Sequence, residues 1–188
     1  MSKVSAASAL SKLKAGNKRF VSEKQNFGNL DMPRRKETTG GQAPFAIVLS
    51  CADSRVLPEM VFDVGIGEIF VCRVAGNIAN TCSIASIEYA VAHLGTKLIV
   101  VLGHESCGAV GAALQNADCG HNLNALLAHL KPAVDATPGR NTVDKVVKQN
   151  AKMQAVELKS RSAIIGKAKG IKIVPAFYNL NNGKVDFL

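Results

Sequence analysis

Three nearly continuous apolar runs constrain the fold of this chain more than any other feature of its sequence. They are FAIVLSC (45–51), IFVCRVA (69–75) and KLIVVLG (97–103). Apolar runs without polar alternation are typical of strands buried on both faces, as in a parallel sheet covered by helices. A fourth run, IKIVPAFYNL (171–180), contains Pro175, which predicts an edge strand or a bulge at that point.

The segments between these runs predict helices. The clearest is SIASIEYAVAHL (83–94), and another starts at Cys107, after the third strand; further helices are expected over 121–131 and 143–161. Strands that alternate with helices predict an α/β fold, with a mainly parallel central sheet flanked by helices and right-handed crossovers.

The N-terminal part of the chain predicts a helical arm. Apolar residues recur at helical spacing from residue 4 to about residue 24, and MPRRKETTGGQAP (32–44) indicates a short helix. With 188 residues, the chain is expected to form a single domain, with an arm over 1–40 and an α/β core over 42–188.

Composition narrows the possible environments and partners. No apolar run reaches the ~18 residues of a membrane span, and the N-terminus lacks the apolar segment of a signal peptide, so we expect neither membrane insertion nor export. Five cysteines are an odd number, which favours reduced thiols and a cytoplasmic location. The formal charge is +9, but the basic residues are dispersed and the chain has no Trp and two Tyr, so we expect no nucleic acid binding.

Chemically reactive residues follow two of the predicted strands. Cys51, Asp53 and Arg55 alternate after the first strand, and His104 and Cys107 follow the third. In a parallel sheet, functional groups gather at the carboxyl ends of the strands. Two sulfurs and one imidazole form a ligand set that Zn²⁺ accepts tetrahedrally with one position open, as in catalytic zinc sites.

The residues alone leave other functions open. Cys51 or Cys107 as nucleophile with His104 as base makes a thiol hydrolase. A zinc-binding scaffold or storage module without catalysis is a second alternative. The hydrolase predicts activity that survives chelation, and the scaffold predicts tolerance of Asp53→Asn and Arg55→Ala.

Taken together, the motifs resemble the β-class carbonic anhydrases. The resemblance rests on C-x-D-x-R at 51–55 and H-x-x-C-G at 104–108, with DSRVLPE, RVAGN, IEYAV and LGHESCGAVGAAL, and it covers about residues 42–115. It implies the fold of that family, one zinc ion per chain and reversible hydration of carbon dioxide to bicarbonate and a proton.

The resemblance also implies residue roles. Cys51, His104 and Cys107 are expected to bind zinc, whose bound water ionises near pH 7 to the attacking hydroxide. Asp53 is expected to accept a hydrogen bond from that hydroxide, and Arg55 to hold Asp53 ionised and away from the metal.

Five further residues are expected to form the substrate pocket by the same resemblance, mainly to plant-type members: Gln42, Phe70, Ala75, Tyr89 and Gly108. In relatives, part of this pocket belongs to the neighbouring subunit, so the resemblance implies a homodimer or a dimer-based tetramer, with the N-terminal helix reaching across to the partner.

The sequence departs from that family pattern at several positions. GIGE (65–68) stands where relatives have PGD, and Ala75 is smaller than its plant-type counterpart. Members regulated by a second bicarbonate site carry Trp at the position of Val48, so we expect no such regulation. Hydrolysis of carbon disulfide or carbonyl sulfide on the same scaffold is the alternative zinc chemistry.

Overall fold

The computed structural model describes residue 2 and residues 4–26, 28–139 and 142–188. Its helices are α1 (Ala6–Val21), α2 (Met32–Glu37), α3 (Pro58–Val61), α4 (Thr81–Ala92), α5 (Gly108–Gln115), α6 (His121–Ala128), α7 (Lys131–Asp135), α8 (Val143–Arg161) and α9 (Ala163–Lys167). Its strands are β1 (Ala46–Ser50), β2 (Ile69–Arg73), β3 (Leu98–His104), β4 (Lys172–Tyr178) and β5 (Val185–Phe187).

The described strands form one sheet in the order β2-β1-β3-β4-β5. The first four are parallel, and β5 pairs antiparallel with β4. Helices pack on both faces, so the predicted α/β fold with a mainly parallel sheet is confirmed. The short strand β5 and the helices α3, α7 and α9 were not predicted, because segments of three to five residues carry too little periodicity.

Burial on both faces explains the unbroken apolar runs of β1 and β3, but the expectation is wrong for β2, an edge strand in which only Cys72 is buried. Every residue of β1 and β3 is buried. Successive side chains point to opposite faces: Val48 packs in the cluster that includes residues of α1, whereas Ile47 and Leu49 pack in the cluster that includes residues of α4.

The N-terminal helix packs on the sheet of its own chain. Ser5 caps α1 by accepting a hydrogen bond from the N–H of Ser8, and Ala9 and Leu13 are fully buried. Asn17 donates from Nδ2 to the carbonyls of Val61 and Gly183. The apolar side of α1 therefore packs in the core of its own chain. Its burial does not depend on the contact with a partner subunit that the resemblance implied.

The expectation of an edge strand is wrong for β4 as a whole but holds at Pro175 itself, which precedes the residues that pair with β5. Strand β4 lies between β3 and β5. Pairing with β5 begins at Ala176, and the Pro175 carbonyl accepts a hydrogen bond from the N–H of Leu188. Proline is tolerated inside the sheet because β5 pairs with the strand only beyond it, so no N–H is required of residue 175 on that side.

Two global properties bear on the sequence expectations. Each of the five cysteines is a free thiol. Among the helices of the described residues, none has both the length and the apolar character needed to span a bilayer.

Candidate metal centre

The carboxyl ends of β1 and β3 bring the three expected metal ligands together. Cys51 directly follows β1, His104 is the last residue of β3, and Cys107 is the N-cap of α5. Since β1 and β3 are parallel neighbours, their ends meet at one edge of the sheet. The ligand atoms of the three buried residues all lie within 4.8 Å of one another.

The imidazole of His104 is oriented for ligation. Its Nδ1 lies 2.9 Å from the carbonyl oxygen of Glu105, which fixes the proton on Nδ1. Nε2 is left with a lone pair, and it is fully buried without a hydrogen-bond partner among the described residues. A buried orphan nitrogen is costly. A cation between Nε2 and the two sulfurs removes that cost, so the residues fit a metal ion.

The two thiols form a coupled, buried pair. The contact with Cys107, with help from His104 and the N–H groups of Asp53 and Gly76, holds the pKa of Cys51 well below its ordinary value. The same contact, together with burial, raises the pKa of Cys107, because one proton is shared between two sulfurs. A divalent cation that takes the place of this proton stabilises both thiolates.

A carboxylate lies at the rim of the ligand set. Asp53 Oδ2 is 3.9 Å from His104 Nε2. Arg55 binds the carboxylate in a bidentate manner: Nε donates to Oδ1 at 2.9 Å and Nη2 donates to Oδ2 at 2.8 Å. These hydrogen bonds hold the pKa of the Asp53 carboxyl well below its usual range. Asp53 is therefore an ionised acceptor in a fixed orientation.

Arg73 supports this segment from β2. Its Nε donates to the carbonyl of Cys51 at 2.9 Å, and its Nη2 donates to the carbonyl of Asp53 at 2.6 Å. Sequence reasoning missed this role. The available signal was that Arg73 is a charged residue inside the otherwise apolar run of β2. In the sheet it pairs with Ser50, the residue before Cys51.

The loop between His104 and Cys107 is held from two sides. The N–H of Ser106, which has a left-handed φ of 55°, donates to Asp144 Oδ1 at 2.9 Å. The N–H of Glu105 donates to the carbonyl of Tyr178 at the end of β4. Asp144, in the first turn of α8, is a second residue that the sequence did not reveal, since it lies 38 positions from its partner.

The expected substrate residues divide into two groups. Gly108 begins α5 beside Cys107, and half-buried Ala75 precedes the Gly76 N–H that meets Cys51. Gln42, Phe70 and Tyr89 lie elsewhere.

The second group lies toward the amino ends of the strands, away from the ligands of the same chain. Phe70 pairs with Ile47, four residues before Cys51, and its ring lies 6.4 Å from that of Tyr89. Gln42 is exposed and precedes β1. Within one chain, Gln42, Phe70 and Tyr89 therefore do not lie in the same pocket as the metal ligands, as the resemblance had implied for a complete site.

Comparison with known sequences supports one family. The sequence profile described as carbonic anhydrase matches residues 46–185. A carbonic anhydrase of Mycolicibacterium smegmatis is 38% identical over 183 residues, which is 93% of this chain and 89% of the relative. Carbonic anhydrase 2 of Mycobacterium tuberculosis is 36% identical, covering 92% of this chain and 87% of that protein.

Solved structures agree with the sequence comparisons. A tetrameric β-carbonic anhydrase of Sordaria macrospora superposes with a TM-score of 0.74 at 26% identity, covering 93% of each chain. The Coccomyxa β-carbonic anhydrase in complex with acetazolamide gives a TM-score of 0.73 at 25% identity, covering 95% of this chain and 84% of that one. With a matching profile over most of the sequence and a Cys-His-Cys group at the shared sheet edge, the chain belongs to the β-class carbonic anhydrases.

Proposed function

We propose that this enzyme hydrates carbon dioxide reversibly at a zinc ion held by Cys51, His104 and Cys107, with Asp53 and Arg55 as its catalytic dyad. The observation that carries the proposal is the buried, unpartnered Nε2 of His104, which faces two sulfurs within 4.8 Å. Two thiolates and a neutral imidazole are ligands that suit zinc.

Zinc bound by three protein ligands supplies Lewis acidity, which lowers the pKa of a coordinated water to roughly 7. The protein supplies the orientation. Ionised Asp53 only accepts hydrogen bonds. Its Oδ2 lies close to His104 Nε2, so it would accept a hydrogen bond from a water molecule held beside that nitrogen and orient the lone pair of this water toward the substrate. Arg55 occupies both oxygens of Asp53 and prevents the carboxylate from turning onto the metal.

The start of α5 supplies a place for the anionic product. In the first turn of α5, the N–H groups of Ala109 and Val110 are directed at the Cys107 sulfur, which leaves the N–H of Gly108 for a product anion. The positive end of the helix dipole favours a bicarbonate there. A side chain built on Gly108 meets no atom within 4 Å, which indicates open space beside this residue.

We also propose that the working unit is a homodimer or a dimer-based tetramer. Strand β2 is an edge strand, and Tyr89 beside it is 48% exposed. A partner that covers this edge brings Gln42, Phe70 and Tyr89 of one chain toward the metal of the other. The proposal predicts sedimentation as a dimer or larger species, and a monomer with full activity contradicts it.

The test of function pairs zinc content with stopped-flow hydration of carbon dioxide from about pH 6.5 to 9 on one preparation. We expect one zinc per chain and a rate that rises with pH as the coordinated water ionises near pH 7. Asp53→Asn should retain zinc and lose about 100-fold in rate, as expected when the group that orients a reactant is impaired.

A matched control is available in the same chain. Asp186 pairs with Lys184 two residues away, as Asp53 pairs with Arg55, but it lies on the edge strand β5, which β4 separates from the ligand-bearing strand β3. Asp186→Asn should leave the hydration rate unchanged. Full hydrolytic activity toward an ester after zinc removal, abolished by thiol alkylation, establishes the thiol enzyme instead. A zinc-loaded protein active only on carbon disulfide establishes the alternative substrate.

A further inference from the structure

The backbone beside Cys51 contains two consecutive residues with positive φ. The residues after β2 form a 3₁₀ turn (Ala75–Asn77), in which Gly76 has a φ of 68° and Asn77 a φ of 45°. In this turn, the N–H of Gly76 donates to Cys51 Sγ at 3.4 Å. Glycine adopts this region freely and asparagine tolerates it, so the Gly76-Asn77 pair permits the turn, and contacts from other elements fix its orientation.

Two amide side chains on α8 hold this turn from behind. Asn150 Nδ2 donates to the carbonyl of Gly76 at 2.9 Å. Gln154, one helical turn later, donates from Nε2 to Asn150 Oδ1 at 3.0 Å and accepts at Oε1 from the N–H of Ala79 at 2.7 Å. Asn150 is 0% exposed and Gln154 5% exposed.

Packing alone does not explain these amides. They share the buried face of α8 with the apolar residues Val146, Val147 and Ala151. Burying amides is unfavourable unless their polar atoms find partners, and an apolar residue would fill the same space without that requirement. The partners of these amides are the backbone atoms of the turn at Gly76 and Ala79, so their polarity serves the turn.

Resting on the proposed metal site, we propose that Asn150 and Gln154 are positioning residues that aim the Gly76 N–H at the Cys51 sulfur. Anchoring the Gly76 carbonyl fixes the orientation of that residue from one side. Leu130 restricts it from the other, because its two Cδ atoms lie 3.0 Å from where a Cβ on Gly76 would stand. In this fixed orientation, the Gly76 N–H withdraws electron density from the Cys51 thiolate and preorganises Cys51 for the metal.

The test uses protein loaded with Co²⁺ in place of zinc, because the thiolate-to-cobalt charge-transfer band reports the electron density on sulfur. The variants are Asn150→Ala, Gln154→Met and the control Asn17→Ala. Asn17 is also a buried helical asparagine that donates to backbone carbonyls of other elements, but those carbonyls belong to Val61 and Gly183. Zinc affinity is measured in parallel by competition with a chelator.

We expect the band of Asn150→Ala and Gln154→Met to move to lower energy, since a thiolate without its N–H donor is more electron-rich. Zinc affinity should fall about 10-fold in both, as is typical when support for a ligand is removed. Asn17→Ala should lower the melting temperature but leave the band and the affinity unchanged. Gln154→Met retains the Asn150 side chain but removes the hydrogen bond that orients it, and it tests the proposal even if Asn150→Ala does not fold.

Two results overturn the proposal. One is an unchanged band with unchanged affinity in the α8 variants, and the other is an equal shift in Asn17→Ala, which reduces the effect to general destabilisation. Failure of the unmodified protein to bind Co²⁺ or Zn²⁺ is a different result, because it removes the metal site itself.

Discussion

The close packing of α8 on the end of β3 predicts a strong coupling between Gly103 and Val147. A Cβ placed on Gly103 would stand 2.5 Å from Val147 Cγ1, whereas its other contacts, with the Val147 carbonyl oxygen and Ala151 Cβ, are 3.4 and 3.8 Å. The obstruction is therefore one methyl group of a fully buried side chain. Gly103 precedes His104, so a displacement here reaches the metal ligand directly.

The contact sets the magnitudes. Gly103→Ala requires a movement of roughly 1 Å in a packed core and should cost about 2 kcal/mol, within the usual range for overpacking. Val147→Ala removes two methyl groups at 0% exposure and should also cost about 2 kcal/mol, from lost burial and the cavity left behind. In the double variant the new methyl occupies the vacated space. Its cost should be about 2 kcal/mol, against about 4 kcal/mol for independent effects.

Urea unfolding of the metal-free protein measures this cycle without a contribution from metal binding, and one fixed protein concentration keeps the contribution of assembly the same in every variant. Gly111→Ala is the matched control, because its Cβ meets only Val143 Cγ2 at 3.9 Å. It should be neutral or stabilising by about 0.5–1 kcal/mol, as expected for alanine in place of glycine inside a helix. Additive costs in the double variant refute the argument, since they mean that the clash at Val147 is not what destabilises Gly103→Ala.

Three further predictions concern the site. Asp144→Ala removes the acceptor of the Ser106 N–H, so zinc dissociation should accelerate about 10-fold in a chelator assay. An unchanged dissociation rate would mean that Asp144 does not support the metal ligands. Arg55 lowers the pKa of Asp53, so ionised Asp53 stabilises the fold above about pH 4, and this contribution is lost as the pH falls through the lowered value. Arg55→Ala should raise that pKa, moving the loss to higher pH in a carboxyl ¹³C NMR titration, and an unmoved midpoint contradicts the ion pair. Bicarbonate should inhibit without cooperativity, because Val48 lies inside β1 where regulated relatives carry Trp, and a sigmoidal loss of activity contradicts this expectation.

Local patterns in the sequence predicted much of the architecture. The ends of the apolar runs lie within two residues of the observed ends of β1 to β4, and the expected helix over 143–161 coincides with α8. The grouping of Cys51, His104 and Cys107 followed from the rule that functional residues gather at the carboxyl ends of parallel strands. The two-pronged contact between Arg55 and Asp53 was also accessible, since both residues belong to one short segment.

Other features depended on contacts between distant parts of the chain. The partners of Asn150 and Gln154 lie 74 and 75 positions away, and no periodicity links them. The site of Gln42, Phe70 and Tyr89 at the opposite ends of the strands follows from register, which a single run of residues does not specify.

The sequence by itself therefore determined the strand-helix alternation and the residues that bring the chemistry, because apolar periodicity and reactive side chains are local properties. Only the tertiary structure decided that β1 lies between β2 and β3, which allows Arg73 from one side and His104 from the other to meet the segment after β1. It also decided that α8 supports the loop that carries Cys107 and the turn at Gly76 that contacts Cys51. The physical reason is that strand order and helix docking are selected by burial of the whole core, to which every segment contributes at once.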